Sequence, residues 1–352
     1  MFDILRSVTG LLKPDRVCID GWIFRLHCKT TFIILISFSF IVSSSQYFGD
    51  PINCINDDIS SSAMDSYCWI HSTYTISRHI KGESGRHFAY PGVMNHFDGG
   101  GIIKYHKYYQ WVSFILLFQA LLFYAPRYVW KSWEGNRIKM LVGNLNVPVL
   151  ASEEKKTQKD SVMRYLQDNL NCHNFYAFRY FICEVLIFIN VSTQIYFMDY
   201  FLDGEFSFYS INLFKSMETP DDMMARVFPK LTKCSFQKYG PSGSIQAFDA
   251  LCILPLNVVN EKIYIFLWFW FIILAVLSGW KLLYRALLLC LPWIRKYMLR
   301  TRIRNSSCDK VMHLLNKCSI GDWFIIYQLK QNIDMYSFNE IINGLSVRIN
   351  DA

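Results

Sequence analysis

Charge is scarce in this chain. Of its 352 residues only 18% are charged, where a soluble domain carries about 25%, while 52% are apolar and 17% aromatic. That shortage excludes a disordered chain. With a positive mean hydropathy it also argues against a cytosolic enzyme and for lipid as part of the solvent. Basic residues are absent altogether from four stretches, 30–46, 109–126, 180–199 and 263–280.

Other absences narrow the function. There is no internal repeat and no low-complexity tract. No nucleophile with a base, glycine-rich phosphate loop or Cys-x-x-Cys pair is present, so no enzyme, cofactor or nucleic-acid partner is expected. His71, His79, His87, His96 and His106 are spaced too widely for a compact zinc site, and no metal is expected. The only Asn-x-Ser/Thr sequons are at Asn190 and Asn305.

What is present is apolar length. Crossing the hydrocarbon takes about 20 largely apolar residues, or a few fewer with snorkelling flanks, and each basic-free stretch meets that need. The expectation is an all-α membrane protein with four transmembrane helices. Its remaining segments are an N-terminus 1–29, loops 47–108, 127–179 and 200–262, and a tail 281–352. The first, third and fifth of these hold 25 basic residues and the other two hold 11. By the positive-inside bias, both termini and the middle loop are cytoplasmic, with helical content, and the other two loops are extracellular.

Cysteine points the same way. Cys54 and Cys68 fall in the first outer loop and Cys234 and Cys252 in the second, where an oxidising exterior favours disulfides. Two bridges within the loops and two between them both fit the spacing. With no sequon in either loop, the outer surface is expected to be free of N-linked sugar. The first apolar run follows too many residues for a cleavable signal and is expected to act as a signal anchor.

Phe2, Leu5, Val8 and Leu12 share a helical face that Pro14 ends, giving a short amphipathic helix that either lies on the inner leaflet or folds into a pore. In the first span, Thr30, Ser37 and Ser44 form one polar stripe, and Ser39, Ser43 and Gln46 form a roughly opposite one. Glu184 in the third span is expected to face protein, most simply as an interhelical hydrogen bond. Arg295, Lys296, Arg300, Arg302 and Arg304 can meet membrane lipid headgroups. These features tilt toward a channel subunit. A four-span adhesion or scaffold protein is the alternative.

Several motifs resemble one family. Tyr108-Tyr109-Gln110-Trp111-Val112 resembles the YYQWV hallmark of the innexins, the invertebrate gap-junction proteins. Gly49-Asp50-Pro51-Ile52 before Cys54, Tyr67-Cys68-Trp69-Ile70, Ala125-Pro126-Arg127, the KYGPSG run from Lys238, ALCILPLN from Ala250, and Gly321-Asp322-Trp323-Phe324 follow in the family's usual order. The resemblance spans Phe2 to about Leu345 and is arthropod-like, and a viral homologue of that insect group fits the same residues. Two cysteines per outer loop separate it from connexins, and YYQWV separates it from pannexins.

The resemblance implies a homo-oligomeric channel of eight subunits in the plasma membrane at cell junctions. Such a ring docks with a like ring on the adjacent cell, or with rings of other innexins, and passes ions and small molecules. It also implies disulfides Cys54–Cys252 and Cys68–Cys234, and a pore mouth lined by Phe2, Asp3 and the polar first span, with Ser37 and Ser44 as candidates. A hemichannel-only, pannexin-like channel is the second alternative.

Overall fold

The computed structural model describes residues 17–77, 90, 92–93, 102–143, 145, 152–202, 204, 227–300, 314 and 316–351. In chain order its elements are α1 (Trp22–Phe48), β1 (Asn53–Ile55), α2 (Ser61–His71), β2 (Thr73–Ser77) and β3 (Ile102–His106). Then follow α3 (Val112–Glu134), α4 (Arg137–Val142), α5 (Ser152–Asp168), α6 (Asn174–Phe201), β4 (Leu231–Tyr239) and β5 (Ile245–Ile253). The chain continues as α7 (Pro255–Cys290), α8 (Pro292–Arg300), α9 (Ile320–Asn332) and α10 (Met335–Asp351).

Four helices, α1, α3, α6 and α7, are long and apolar enough to cross a membrane. All four extend beyond their basic-free cores. In hydrocarbon a helix is the way an isolated segment satisfies its own backbone, and nothing ends that helix where the lipid ends. Thus α7 runs on through Lys281 and Arg285 to Cys290, and α3 continues past Pro126 to Glu134. Beyond α3 a sharp turn follows, in which the Glu134 carboxylate accepts the backbone N–H groups of Asn136 and Ile138, both at 2.7 Å.

The chain divides into two compact units, and each long helix gives residues to both. One unit, Met1–Thr31 with Leu122–Asn190 and Leu274–Ala352, contains both termini. Its core gathers Phe24, Trp130, Tyr180, Leu288 and the buried faces of α4, α5, α9 and α10. Trp130 packs edge-on to Tyr180 at 4.8 Å, and Phe324 lies 4.9 Å from the same ring. Lys159 pairs with Glu340 at 2.6 Å and Arg348 with Asp160 at 2.8 Å, joining α5 to α10.

The second unit, Phe32–Leu121 with Val191–Ile273, holds a five-stranded antiparallel sheet in the order β1-β5-β4-β2-β3. The helical expectation did not include it. In β4 and β5 the alternation leaves Thr232, Cys234, Ala250 and Cys252 buried, with Leu251 and Ile253 exposed. The buried face meets Met64 and Cys68 of α2 and the ring of Tyr109. β4 and β5 form a hairpin whose turn, Gly240 to Ser244, needs Gly243 at φ +80°, a left-handed conformation that glycine adopts without steric cost.

Candidate functional site

The four loop cysteines converge in the sheet unit. β1 lies beside β5 with Cys54 directly opposite Cys252, and their sulfurs are 2.01 Å apart. Cys68, on the buried side of α2, meets Cys234 of β4 with S–S 1.99 Å. The bridges thus run between the two loops, across 198 and 166 residues. Sulfurs of Cys54, Cys68 and Cys252 lie within 4.8 Å of one another, and each is already covalently paired, so no thiolate remains there to hold a metal.

Hydrogen bonds reinforce the same corner. Asp65 of α2 accepts the Cys54 backbone N–H at 2.6 Å. Asn56 donates to the Asp249 carbonyl at 2.8 Å, while its oxygen accepts the N–H groups of Asp58 and Ile59. A turn after β1 is therefore fastened to β5 by a side chain and not by a further strand.

The YYQWV residues form the turn that begins α3. Tyr109 is 1% exposed, lies 4.8 Å from Trp69, and its hydroxyl donates to the Cys68 carbonyl at 3.4 Å. Gln110 donates to the carbonyls of Trp69 and Ile70. Tyr108 packs edge-on to Phe201 and Phe228, Val112 is buried and Trp111 is exposed. The motif seats the cysteine-bearing helix on the start of the second span. Burial raises the Tyr108 phenol well above the ordinary range, so it is neutral at physiological pH.

The two polar stripes of the first span have separate fates. Ser39 is buried and donates to the Ser113 carbonyl at 2.8 Å, and Gln46 donates to the Tyr109 carbonyl at 3.0 Å. That stripe joins α1 to α3. Thr30 and Ser37 are exposed and Ser44 is half-buried, leaving the other stripe open. Phe2 and Asp3 lie outside the described residues, as do His79, His87 and His96. His71 lies tilted against Tyr67, ring centroids 4.3 Å apart, and His106 bonds Thr75 at 2.8 Å.

Glu184 meets Arg285 in a two-pronged ion pair, 2.7 Å to Nε and 3.1 Å to an outer guanidinium nitrogen, with both side chains buried. The guanidinium also lies over the rings of Tyr180, Phe181 and Phe324 at 5.1 to 5.7 Å. Glu184 stands out in the sequence as a carboxylate in an apolar run. Arg285 does not, because it follows the run and looks like ordinary flanking charge.

The family model named Innexin matches residues 20–349. The chain belongs to the innexin family. Innexin inx2 of Drosophila melanogaster is 57% identical over 350 residues, covering 98% of this chain and 95% of that protein. Innexin inx2 of Schistocerca americana is 56% identical over 353 residues, covering 99% and 98%. Innexin shaking-B of Drosophila melanogaster is 44% identical over 354 residues, covering 99% and 95%. Innexins are plasma-membrane proteins that form gap-junction channels, a channel-forming class and not an enzyme class. In this innexin, geometry adds Asp65, Asn56 and Arg285 to the residues legible from motifs.

Proposed function

We propose that eight copies of this chain ring a pore in the plasma membrane, with both termini in the cytoplasm. Two such rings dock across the gap between cells and pass ions and small molecules. The observation that carries the reading is the cross-bridged sheet. Docking two surfaces costs less when the loops are already ordered, and here two disulfides, Asp65 and Tyr109 fix both loops as one body before any partner arrives. Around a ring, a weak contact per subunit multiplies into a stable junction.

Orientation follows from the same residues. Disulfides persist in an oxidising exterior, so the sheet faces outward, and the 25 basic residues of the other segments face the cytoplasm. For conduction, the open stripe of Thr30, Ser37 and Ser44 suits a water-lined wall, because Ser39 and Gln46 already serve contacts with α3. Phe2 and Asp3 then belong to the pore mouth. Current and dye uptake in single expressing cells test this against a non-conducting adhesion protein. Both are expected, and surface protein without either sinks the channel reading.

A further inference from the structure

Residues 17–21 lead into α1 without helix or strand of their own, so their main-chain groups need partners from elsewhere. Those partners come from α9. The Asn332 side-chain oxygen accepts the Cys18 N–H at 2.6 Å, and its amide nitrogen donates to the Cys18 carbonyl at 2.8 Å. Gln328 donates to the Ile19 carbonyl at 3.3 Å. One side-chain amide thus satisfies both main-chain groups of a single residue 314 positions away, as a neighbouring strand would, and fixes orientation as well as position.

Two further contacts complete the grip. Gly21 donates its N–H to the Tyr180 hydroxyl at 3.1 Å, and Asp20 pairs with Arg127 at 3.2 Å. The N-terminus of α9 has its own capping box from Ser319 and Asp322, while near its C-terminus the Asn332 amide nitrogen also donates to the Gln328 carbonyl at 2.9 Å. Both amide side chains are buried, and a buried amide is costly unless its bonds are made. Cys18 lies only four residues beyond Pro14, where the sequence ends the amphipathic N-terminal helix.

We infer that Asn332 and Gln328 are positioning residues for conduction: they hold the peptide at Cys18 and Ile19, and so set how the N-terminal helix enters the pore mouth. This rests on the proposed pore placement of that helix. α9 is itself anchored to the start of α6, where Asp322 accepts from His173 at 2.7 Å and from the Asn171 N–H at 2.9 Å. A tilt of α9 is therefore delivered to residues 17–21 through the Asn332 and Gln328 amides.

The test is a double-mutant comparison in the full chain, with single-cell current normalised to biotinylated surface protein. Asn332→Ala is expected to lower open probability about threefold with unit conductance retained, and to have little effect when residues 2–12 are deleted, since coupled groups are non-additive. An equal loss in both backgrounds overturns the inference and assigns Asn332 to tail packing. A deletion that leaves conductance and gating untouched removes instead the pore-mouth reading beneath it. Should Asn332→Ala not reach the surface, Gln328→Ala carries the same comparison with a smaller expected loss. Should the deletion not conduct, Asp3→Lys replaces it, and strictly additive effects overturn the inference.

Discussion

Gly321 lies against the backbone of His173: a Cβ at Gly321 would stand 2.1 Å from the His173 carbonyl carbon and 2.3 Å from the Asn174 nitrogen. Backbone cannot move aside as a flexible side chain can. Its own N–H meanwhile donates to the Asn174 side chain at 3.0 Å. This contact explains the glycine of the Gly-Asp-Trp-Phe motif.

Gly321→Ala is therefore expected to push α9 off the start of α6 and to destabilise the protein by about 1–3 kcal/mol, as overpacking does. Gly344→Ala makes a comparison, because there the nearest atom is the flexible Met163 sulfur at 2.3 Å. Melting of the detergent-solubilised protein is expected to fall further for Gly321→Ala. Equal or reversed losses would contradict the argument.

Arg285→Met strands a buried carboxylate at Glu184, which typically costs about 3–5 kcal/mol. Replacing both partners, Glu184→Leu with Arg285→Met, removes the stranded charge and is expected to recover most of the melting temperature. A double variant no more stable than Arg285→Met would show that Arg285 acts mainly through the rings of Tyr180, Phe181 and Phe324.

Burial alone would raise the Asp322 carboxyl, but hydrogen bonds from His173, the Asn171 N–H and Ser319 outweigh it and hold the group below its ordinary value. A depressed carboxylate contributes stability that is present above its unfolded value, about 4, and lost as pH falls through the folded one. Wild-type melting is expected to drop with acid below that range, and Asp322→Asn to lose part of the slope. Identical slopes would exclude Asp322 as a contributor.

Much of the fold is legible from composition, because a four-span membrane protein advertises its apolar runs. The sheet is not, since β1 to β3 are only three to five residues long and the pairings that unite it, β1 with β5 and β2 with β4, join segments more than 150 residues apart, as Cys54 and Cys252 are. YYQWV is recognisable as a pattern, but its work becomes visible only when Tyr109 and Gln110 reach the carbonyls of Cys68, Trp69 and Ile70. Asn332 and Gln328 carry no sequence signal, because an isolated amide in a tail helix belongs to no motif. The two polar stripes are equivalent on a helical wheel and are told apart only by structure, in which Ser39 and Gln46 bond α3 and the turn before it while Thr30 and Ser37 are exposed.

Charge at the pore mouth gives another prediction. If Asp3 repeats around a ring in a narrow opening, its summed field dominates the local potential, and Asp3→Lys is expected to shift the reversal potential toward anion preference. Unchanged selectivity would place the N-terminal helix on the inner leaflet instead.

Docking of pre-ordered, cross-bridged loops is the central claim, and junctional conductance between two cells that both express this chain tests it most directly. Coupling is expected in homotypic pairs and is expected to vanish with Cys68→Ser or Cys252→Ser, while peptide mapping without reductant recovers Cys54 with Cys252 and Cys68 with Cys234. Single cells that conduct while homotypic pairs never couple, or pairs that couple normally without Cys68, would contradict it.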